Sequence, residues 1–414
     1  MRVYKDYLLH SLRFTLTVHD LPKTSLQELD MLTRRYLKKW IGMPNRGATP
    51  AILHSADGLC IPTISDIYME AHALGLAVCT LKADNRVRSA VEAKIQRESE
   101  LLRKNLGNIE AMSHVQQAID THGEDAQWNT IKRSIKKSVS NASASSWRDY
   151  VKDLVVQGNL LKLIEAEESD LNWKSIIFNL PRKVLKFAVN AAVDSLPTFS
   201  NLVQWGKRLD GCCKLCKVKQ TLPHVLNCCN TSLNQGRFTW RHDSILSYIV
   251  SCIRDSPLLE SGKLKMFADI PGYKCNYGTI PAEIIVTSDR PDIVLVSEEQ
   301  KVTLVELTVP FEMNIKSSHD YKVNKYAGLV SDIISQGYEC QLLCIEVGSR
   351  GYISPDNRDG IKSLLKTVNP KSKSKDFKSC MNNLAKIAIL TSYFIFLNKD
   401  EPEWSQTALV SISS

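Results

Sequence analysis

The stretch RPDIVLVSEEQKVTLVELTVPFE, residues 290–312, decides the fold of the C-terminal half of this chain. It holds two runs rich in β-branched residues, DIVLV at 292–296 and VTLVELTV at 302–309, separated by SEEQK. Two such runs joined by a short polar segment predict a β-hairpin. An amphipathic helix is predicted over Tyr321–Gln336 and a third strand over Cys340–Val347. The order strand, strand, helix, strand predicts an α/β core.

Two acidic residues lie on the predicted hairpin. Asp292 opens the first strand and Glu306 lies in the second, so a short turn brings both carboxylates to one end of the sheet. Adjacent carboxylates repel each other unless a cation lies between them, and hard oxygen ligands with open positions suit Mg²⁺. The pair therefore predicts a magnesium site. From the residues alone, the alternative that Asp292 only caps its strand stays open.

Two lysines follow on the predicted helix. Lys322 and Lys325 are spaced i, i+3 on one face, which we expect to lie opposite the apolar Leu329 and Ile333. A lysine near a metal-bound water can help to activate it or stabilise the charge that builds on a phosphate. Two acids on a hairpin with a nearby lysine form the pattern of PD-(D/E)xK nucleases. We expect Lys325, or Lys322, to orient or polarise the attacking water.

Cysteine is concentrated in GCCKLCKVKQTLPHVLNCC, residues 211–229. Cys213 and Cys216 form a CxxC turn that can direct two thiolates at one metal, and His224 and Cys229 follow. Four soft ligands in this order suit tetrahedral Zn²⁺. A run of buried thiols beside a surface histidine is the alternative without a metal.

Two ligand positions in this cluster stay open on spacing alone. Thr221 and Pro223 predict the start of a helix, on which His224 and Cys228 would share a face at i, i+4. That argument favours Cys228 over Cys229, and Cys212 competes with Cys213 in the same way.

Charge and composition limit the class of protein. Among 414 residues, Lys and Arg outnumber Asp and Glu by 53 to 44, for a formal charge of +9. Apolar residues make up 43%, which excludes a mostly disordered or collagen-like chain. The basic excess favours an acidic partner such as nucleic acid. Cationic side chains cluster around the cysteines; they are Lys207, Arg208, Lys214, Lys217 and Lys219, and they predict phosphate contacts.

The N-terminal half reads as mostly helical. We see no signal peptide, and the longest apolar stretch, 387–397, is too short for a membrane span. We therefore expect an intracellular protein whose cysteines are thiols or metal ligands. The low-complexity segment SVSNASASS, 138–146, predicts a linker. Helices are predicted over Glu28–Trp40, Ser65–Leu81, Arg86–Lys104, Trp147–Glu168 and Pro181–Ala192.

Taken in order, four of these features resemble the C-terminal region of non-LTR (LINE-type) retrotransposon polyproteins that carry a restriction-enzyme-like endonuclease. The first is the C-x2-C-x7-H-x4-C knuckle and the second is RHD at 241–243. The third is RPDIVLV with VELTVPFE, and the fourth is the helix motif KVNKY at 322–326. The resemblance covers residues 200–340 strongly. RRYLKKWIGMP and GLCIPTISDIY more weakly resemble the thumb that follows the polymerase palm.

The resemblance implies an α+β multidomain protein: a helical N-terminal half, a small zinc knuckle, then an α/β PD-(D/E)xK-like nuclease core. The implied domains are a thumb-like remnant at 1–135, a basic helical segment at 147–205, a knuckle at 206–232 and a nuclease at 237–414. The knuckle ligands become Cys213, Cys216, His224 and Cys229. The implied activity is nicking of target DNA to prime reverse transcription, in the nucleus, with DNA and element RNA as partners.

The chain departs from that retrotransposon class in two places, and each changes what function is expected. The chain has no Asp-Asp pair, so it lacks the polymerase palm of that class. No reverse transcription is therefore expected from it. A separate polymerase portion becomes a candidate partner. Thr308 stands where the general nuclease pattern has lysine, so Lys322 or Lys325 supplies that role. A nucleic-acid-binding zinc-knuckle protein and an inactive truncated relic are the competing functions.

The RHD signature leaves a choice of its own. Arg241 and His242 are expected to contact nucleic acid. His242 and Asp243, as a pair, either contact DNA or stabilise the junction between knuckle and nuclease. Alternatively, Asp243 caps a helix that begins at Ser244, and His242 is a packed surface histidine.

Overall fold

The computed structural model describes residues 3–81, 124–166, 173–275, 278–371 and 373–405, together with residues 86, 89 and 96. The chain divides into two compact units, Met1–Lys162 and Leu163–Ser414. Both helices and a mixed sheet are present, so the predicted combination of α and β structure is confirmed. The helix predicted over Arg86–Lys104 falls almost wholly outside the described residues.

The first unit is helical, as predicted. A short π-helical turn, Tyr4–Leu8, leads into its first helix. Within the described residues its helices are α1 (Leu9–Val18), α2 (Lys23–Ile41), α3 (Ala51–His54), α4 (Ile64–Leu81) and α5 (Glu124–Lys152). Gly42 ends α2 in the left-handed conformation, with φ of +71°, which glycine adopts without steric cost. The buried carboxylate of Asp30 on α2 accepts the backbone N–H of Ile64 at 2.7 Å and so holds the start of α4.

The predicted linker at 138–146 is wrong. These residues lie inside α5, which continues unbroken through them. Ile131, Ile135 and Val139 recur every fourth residue and are all buried, so α5 has an apolar stripe that packs into the unit. Tertiary packing of such a stripe outweighs the weak helix preference of the serines around it.

The second unit carries the remaining helices and the sheet. A helix, α6 (Asn159–Ala166), spans the boundary between the units. The helices that follow are α7 (Trp173–Phe178), α8 (Arg182–Ala192), α9 (Phe199–Gln204), α10 (Asn230–Asn234), α11 (Arg237–Ile253), α12 (Pro257–Glu260), α13 (Ile315–Ser335), α14 (Pro355–Val368) and α15 (Ser374–Leu397). Short π and 3₁₀ turns lie at His224–Cys228 and Glu312–Asn314.

A four-stranded sheet has the order β1-β2-β3-β4. Its strands are β1 (Leu264–Ala268), β2 (Ile293–Ser297), β3 (Lys301–Thr308) and β4 (Glu339–Glu346). β2 pairs antiparallel with β1 and with β3, whereas β4 runs parallel to β3. The predicted hairpin and the strand after the helix are thus present, and β1 is an edge strand that the sequence reading missed.

One face of the sheet is covered by α13. Val294, Leu304, Tyr326, Leu329 and Ile333 form a single buried cluster between this helix and the strands. The helix begins at Ile315, six residues before its predicted start. Its early turns therefore extend along the face of the sheet that carries the hairpin acids.

The orientation predicted for Lys322 is wrong. Leu329 and Ile333 lie seven and eleven residues after Lys322, which are two and three helical turns, so all three share one face of α13. Lys322 therefore lies on the side that faces the sheet, and its side chain is only 20% exposed. Lys325 lies on the exposed side.

The apolar stretch at 387–397 belongs to α15, which packs against α11 and α8. Among the described residues, α15 is the one helix long and apolar enough to cross a membrane, and 56% of its most apolar window is buried within the protein. Arg241 on α11 lies beneath it, 1% exposed, and donates to Ser392 Oγ at 3.1 Å.

Candidate functional site

The cysteine cluster begins with a tight turn. The backbone N–H of Cys213 donates to the carbonyl of Val218 at 2.7 Å, and that of Lys217 donates to Cys213 at 3.0 Å. Lys217 has a φ of +64°, which reverses the chain immediately after Cys216. The turn places the thiols of Cys213 and Cys216 on the same side, as the CxxC spacing predicts.

A π-helical turn at His224–Cys228 determines which of the two adjacent cysteines, Cys228 or Cys229, lies beside His224. The widened turn contacts i+5 rather than i+4, so the residue brought back beside His224 is Cys229 and not Cys228. Cys229 is 2% exposed and follows the turn with an extended backbone, whereas Cys228 is exposed. On the other side of the site, Cys213 is buried and Cys212 is exposed. At both positions it is therefore the buried cysteine, Cys213 or Cys229, that lies within the cluster.

The four side chains converge. The ligand atoms of Cys213, Cys216, His224 and Cys229 all lie within 4.8 Å of one another. Cys216 Sγ is 3.2 Å from His224 Nε2 and 3.7 Å from Cys229 Sγ. The cluster can hold a metal ion.

The protein environment shifts the pKa values of the histidine and of two cysteines of this cluster in different directions. Burial lowers the pKa of His224, which favours the neutral imidazole that ligates metals. Burial raises the pKa of Cys216 to about 11. Burial alone would also raise the pKa of Cys229, but the N–H and hydroxyl of Ser232 lower it below the ordinary cysteine value. A positive ion would favour the thiolate form of all three cysteines.

The cluster is fixed to the end of β3. The carbonyl of Val309, one residue past the strand, accepts a hydrogen bond from Asn227 in the π turn at 2.8 Å and one from Arg241 at 3.1 Å. Gln220 is fully buried and donates to Asp400 at 2.9 Å. Arg241, which we expected to contact nucleic acid, is thus buried and bonded within the protein; it joins α11 to α15 and to the end of β3.

The hairpin register brings the two acids together. Ile293 is paired with Val305, so the next pair along the same ladder is Asp292 opposite Glu306. Opposite residues of an antiparallel ladder project to one face of the sheet. Both residues are largely buried, at 8% and 4% exposed. The predicted convergence of the carboxylates at one end of the hairpin is therefore present.

Asp292 is bonded on two sides. Its Oδ2 accepts the backbone N–H of Leu307 at 2.7 Å and lies 3.3 Å from His242 Nε2. His242 also contacts Asp243 through Nδ1 at 3.0 Å. Burial alone would lower the pKa of His242, but the two carboxylates raise it to about 10, so the imidazole is a cation at neutral pH.

These contacts revise the reading of the RHD signature. Asp243 cannot be an N-cap, because α11 begins at Arg237 and Asp243 lies inside it. His242 is neither free on the surface nor fully enclosed, since its side chain is 24% exposed and directed at Asp292. The sequence placed His242 among the nucleic-acid contacts; the structure adds it to the acid pair.

Glu306 has one engaged oxygen. Lys322 Nζ donates a short hydrogen bond to Oε1, whereas the buried Oε2 has no hydrogen-bond partner among the described residues. Burial, and secondarily the charge of Asp292, raise the pKa of Glu306, and Lys322 opposes that shift. Lys325, the lysine expected first, instead donates to the hydroxyl of Tyr326 at 3.0 Å.

Two further residues extend this site and were missed by the sequence analysis. Glu346, at the end of β4, is 1% exposed, and its carboxylate oxygens lie 3.2 and 3.3 Å from His319 Nδ1 on α13. Burial raises the pKa of Glu346 and the His319 contact opposes that shift. Only spacing could have signalled the pair: His319 precedes Lys322 by three residues and so shares its helical face.

The basic residues of the cluster differ in exposure. Lys207, Lys214, Lys217 and Lys219 are all exposed, so their ammonium groups are available to an anionic partner. Arg208 is half-buried, and its guanidinium lies 3.6 Å from the centre of the Phe199 ring. The lysines and the CxxC turn occupy the same short segment, which makes this the most cationic part of the candidate site. No family model matches the chain, and no curated protein matches it at a significant level.

Proposed function

We propose that this chain is a metal-dependent DNA endonuclease of the non-LTR retrotransposon type, in which a zinc knuckle is joined to a PD-(D/E)xK-like nuclease core. The observation that carries the proposal is the Asp292–Glu306 pair, two largely buried carboxylates opposite each other with Lys322 on one of them. Keeping two acids and a lysine together in a protein interior is costly, and such clusters concentrate at functional sites.

The residues present fit a magnesium ion. Asp292 and Glu306 supply hard oxygen ligands, and Glu306 Oε2 is a buried acceptor without a partner in the described structure. When bound, Mg²⁺ would lower the pKa of a ligated water and neutralise charge on the phosphate. Lys322 is placed to stabilise that charge or orient the attacking water, and His242 holds Asp292 in position.

The cysteine cluster fits zinc. In a tetrahedral site with Zn–S bonds of about 2.3 Å, two sulfur ligands are separated by about 3.8 Å. Cys216 Sγ and Cys229 Sγ are 3.7 Å apart, and His224 is close enough to complete the set with Cys213. Three thiolates and one imidazole, without an open position, are typical of a structural zinc. Its role would be to hold the basic segment against the end of β3.

In this proposal the exposed lysines of the knuckle bind nucleic acid phosphates while the acid pair cuts one DNA strand. The resulting 3′ hydroxyl would prime copying of element RNA by a polymerase supplied elsewhere, in the nucleus. A supercoiled plasmid incubated with the purified chain, with and without Mg²⁺, tests the proposal. Open-circular product that needs Mg²⁺ and disappears with Asp292→Asn supports it.

A nucleic-acid-binding protein is the second candidate. The observation that favours it is that each acid is already paired with a cation, Asp292 with His242 and Glu306 with Lys322. In an idle site these pairs would persist, and only the lysines of the knuckle would act. Salt-dependent DNA binding without any nicking, across targets and divalent ions, would favour this reading over the nuclease.

A further inference from the structure

A second cluster of metal-ligand side chains lies beside the acid pair. The ligand atoms of His319, Cys344 and Glu346 all lie within 4.8 Å of one another. Cys344 and Glu346 are two residues apart on β4 and so project to the same face of the sheet. His319 reaches them from α13, the helix that covers that face.

The ligand types differ from those of the acid pair. Asp292 and Glu306 offer only carboxylate oxygens, which suit magnesium. A thiol, an imidazole and a carboxylate instead suit a borderline or soft divalent ion such as Zn²⁺, and they discriminate against Mg²⁺. Glu346 and Cys344 are 1% and 8% exposed, whereas the side chain of His319 is 44% exposed, so this cluster has one side open to solvent.

The acid pair adds negative charge beside this cluster. Cys344 is directly paired with Glu306 in the parallel ladder of β3 and β4. Glu306 is 4% exposed and Glu346 is 1% exposed, so both carboxylates lie in the protein interior. Buried carboxylates cost free energy unless positive groups compensate them, and several buried acids close together favour a bound cation. Two buried acids, Glu306 across the ladder and Glu346 two residues further along β4, thus neighbour the same cysteine.

We infer that His319, Cys344 and Glu346 bind a second divalent ion of the zinc type, distinct from both the knuckle zinc and the magnesium of the acid pair. Three protein ligands with a solvent-facing side are typical of zinc sites that keep a coordination position for water or substrate. The inference deepens the proposed nuclease function by adding a second ion next to Glu306, but the binding itself does not depend on catalysis.

Metal analysis of the full chain, loaded with Zn²⁺ and desalted, tests this inference. We expect two zinc ions per chain in the wild type. His319→Gln and Cys344→Ser should each lower this to one, while Cys340→Ser, a cysteine change on the same strand, should leave two. One zinc in the wild type, or equal loss with Cys340→Ser, would overturn the second site.

Cobalt provides a readout that reports thiolate ligation directly. Co²⁺ titration should give two phases of thiolate-to-cobalt absorption, and His319→Gln, which changes a partly exposed side chain, should remove the weaker phase while thermal unfolding stays unchanged. Millimolar Mg²⁺ should not displace that phase; displacement would reassign the cluster to hard-ion binding. Asp292→Asn should abolish nicking yet keep both phases, so failure of the nuclease proposal and failure of this one are distinguishable.

Discussion

Lys322 on α13 donates a hydrogen bond to the buried carboxylate of Glu306 on β3. The contact joins the helix that covers one face of the sheet to the acid pair of the hairpin. The two lysines of KVNKY differ in this respect, because Lys325 is exposed and bonds the hydroxyl of Tyr326 instead of an acid.

Changing Lys322 should therefore slow nicking more than changing Lys325. We expect Lys322→Met to lower the rate of plasmid nicking by on the order of 10²-fold or more, the usual scale for removing one group that stabilises transition-state charge. Lys325→Met is the matched control and should stay within a few-fold of wild type. Initial rates on supercoiled plasmid with Mg²⁺ measure both, and the reverse ordering would return the catalytic role to Lys325.

Neutralising either acid should abolish nicking. Asp292→Asn and Glu306→Gln keep the shape of each side chain but remove a negative ligand, so Mg²⁺ would be held poorly. Binding to DNA should remain nearly intact, because the phosphate-contacting lysines lie elsewhere. Glu298→Gln, an exposed acid in the hairpin turn, is the control. If Asp292→Asn nicks as fast as wild type, the metal site is misplaced.

Substituting one of the four clustered residues of the knuckle should lower its zinc content, whereas substituting an exposed cysteine should not. Cys216→Ser and His224→Ala should each release one zinc per chain, and chelation should loosen this segment first, because ligation contributes directly to its folding. Cys212→Ser and Cys228→Ser change the exposed neighbours of two ligands and should retain the full zinc content. Metal analysis of the purified variants is the measurement; loss of zinc with Cys228→Ser would show that the π turn has been read in the wrong register.

Binding to duplex DNA should weaken steeply as salt increases, since each neutralised phosphate contributes about −0.9 to the log–log slope. Replacing Lys214, Lys217 and Lys219 together with Ala should reduce the steepness of that slope by up to about 3. The control replaces three other exposed lysines, Lys362, Lys366 and Lys371, with Ala. An equal change of slope in this control would show that the knuckle lysines are not a specific DNA contact. Fluorescence anisotropy at a series of salt concentrations measures the slope.

Stability of the first unit should decrease in mild acid because of His54. Burial lowers the pKa of His54 below its ordinary value of 6.5, although its bond to the carbonyl of Ile61 opposes that shift. The unfolded chain therefore takes up the proton first as the pH falls through 6.5, and the free energy of unfolding declines from there towards the folded pKa.

Urea unfolding at several pH values between 5 and 7.5 measures this decline. His54→Gln should flatten it, whereas His19→Gln, a change at an exposed histidine, should leave it as in the wild type. An unchanged pH dependence in His54→Gln would assign the acid sensitivity to other groups.

The sequence was sufficient to predict features formed by residues that lie close together in the chain. The β-branched runs on either side of SEEQK predict the hairpin, and the hairpin alone predicts that Asp292 and Glu306 meet, because antiparallel register follows from a short turn. The CxxC spacing predicts the paired thiols for the same reason. In each case the interacting residues are close in sequence, so one local geometry decides the outcome.

Tertiary structure decided what depends on elements distant in the chain. The segment SVSNASASS is helical because the apolar stripe of α5 is buried, which its own composition does not reveal. A π turn, stabilised in its place by the bond from Asn227 to Val309, brings Cys229 rather than Cys228 towards the other side chains that could hold a metal. His242 contacts Asp292 from 50 residues away through the packing of α11, and the parallel pairing of β4 with β3 sets Cys344 beside Glu306. The sequence by itself determined which acids, lysines, histidines and cysteines are available at this site, since residue type fixes the chemistry of a side chain. Helix packing and strand register decided which of these side chains contact one another. Both depend on how much apolar surface the whole unit buries, which no local stretch of sequence reveals.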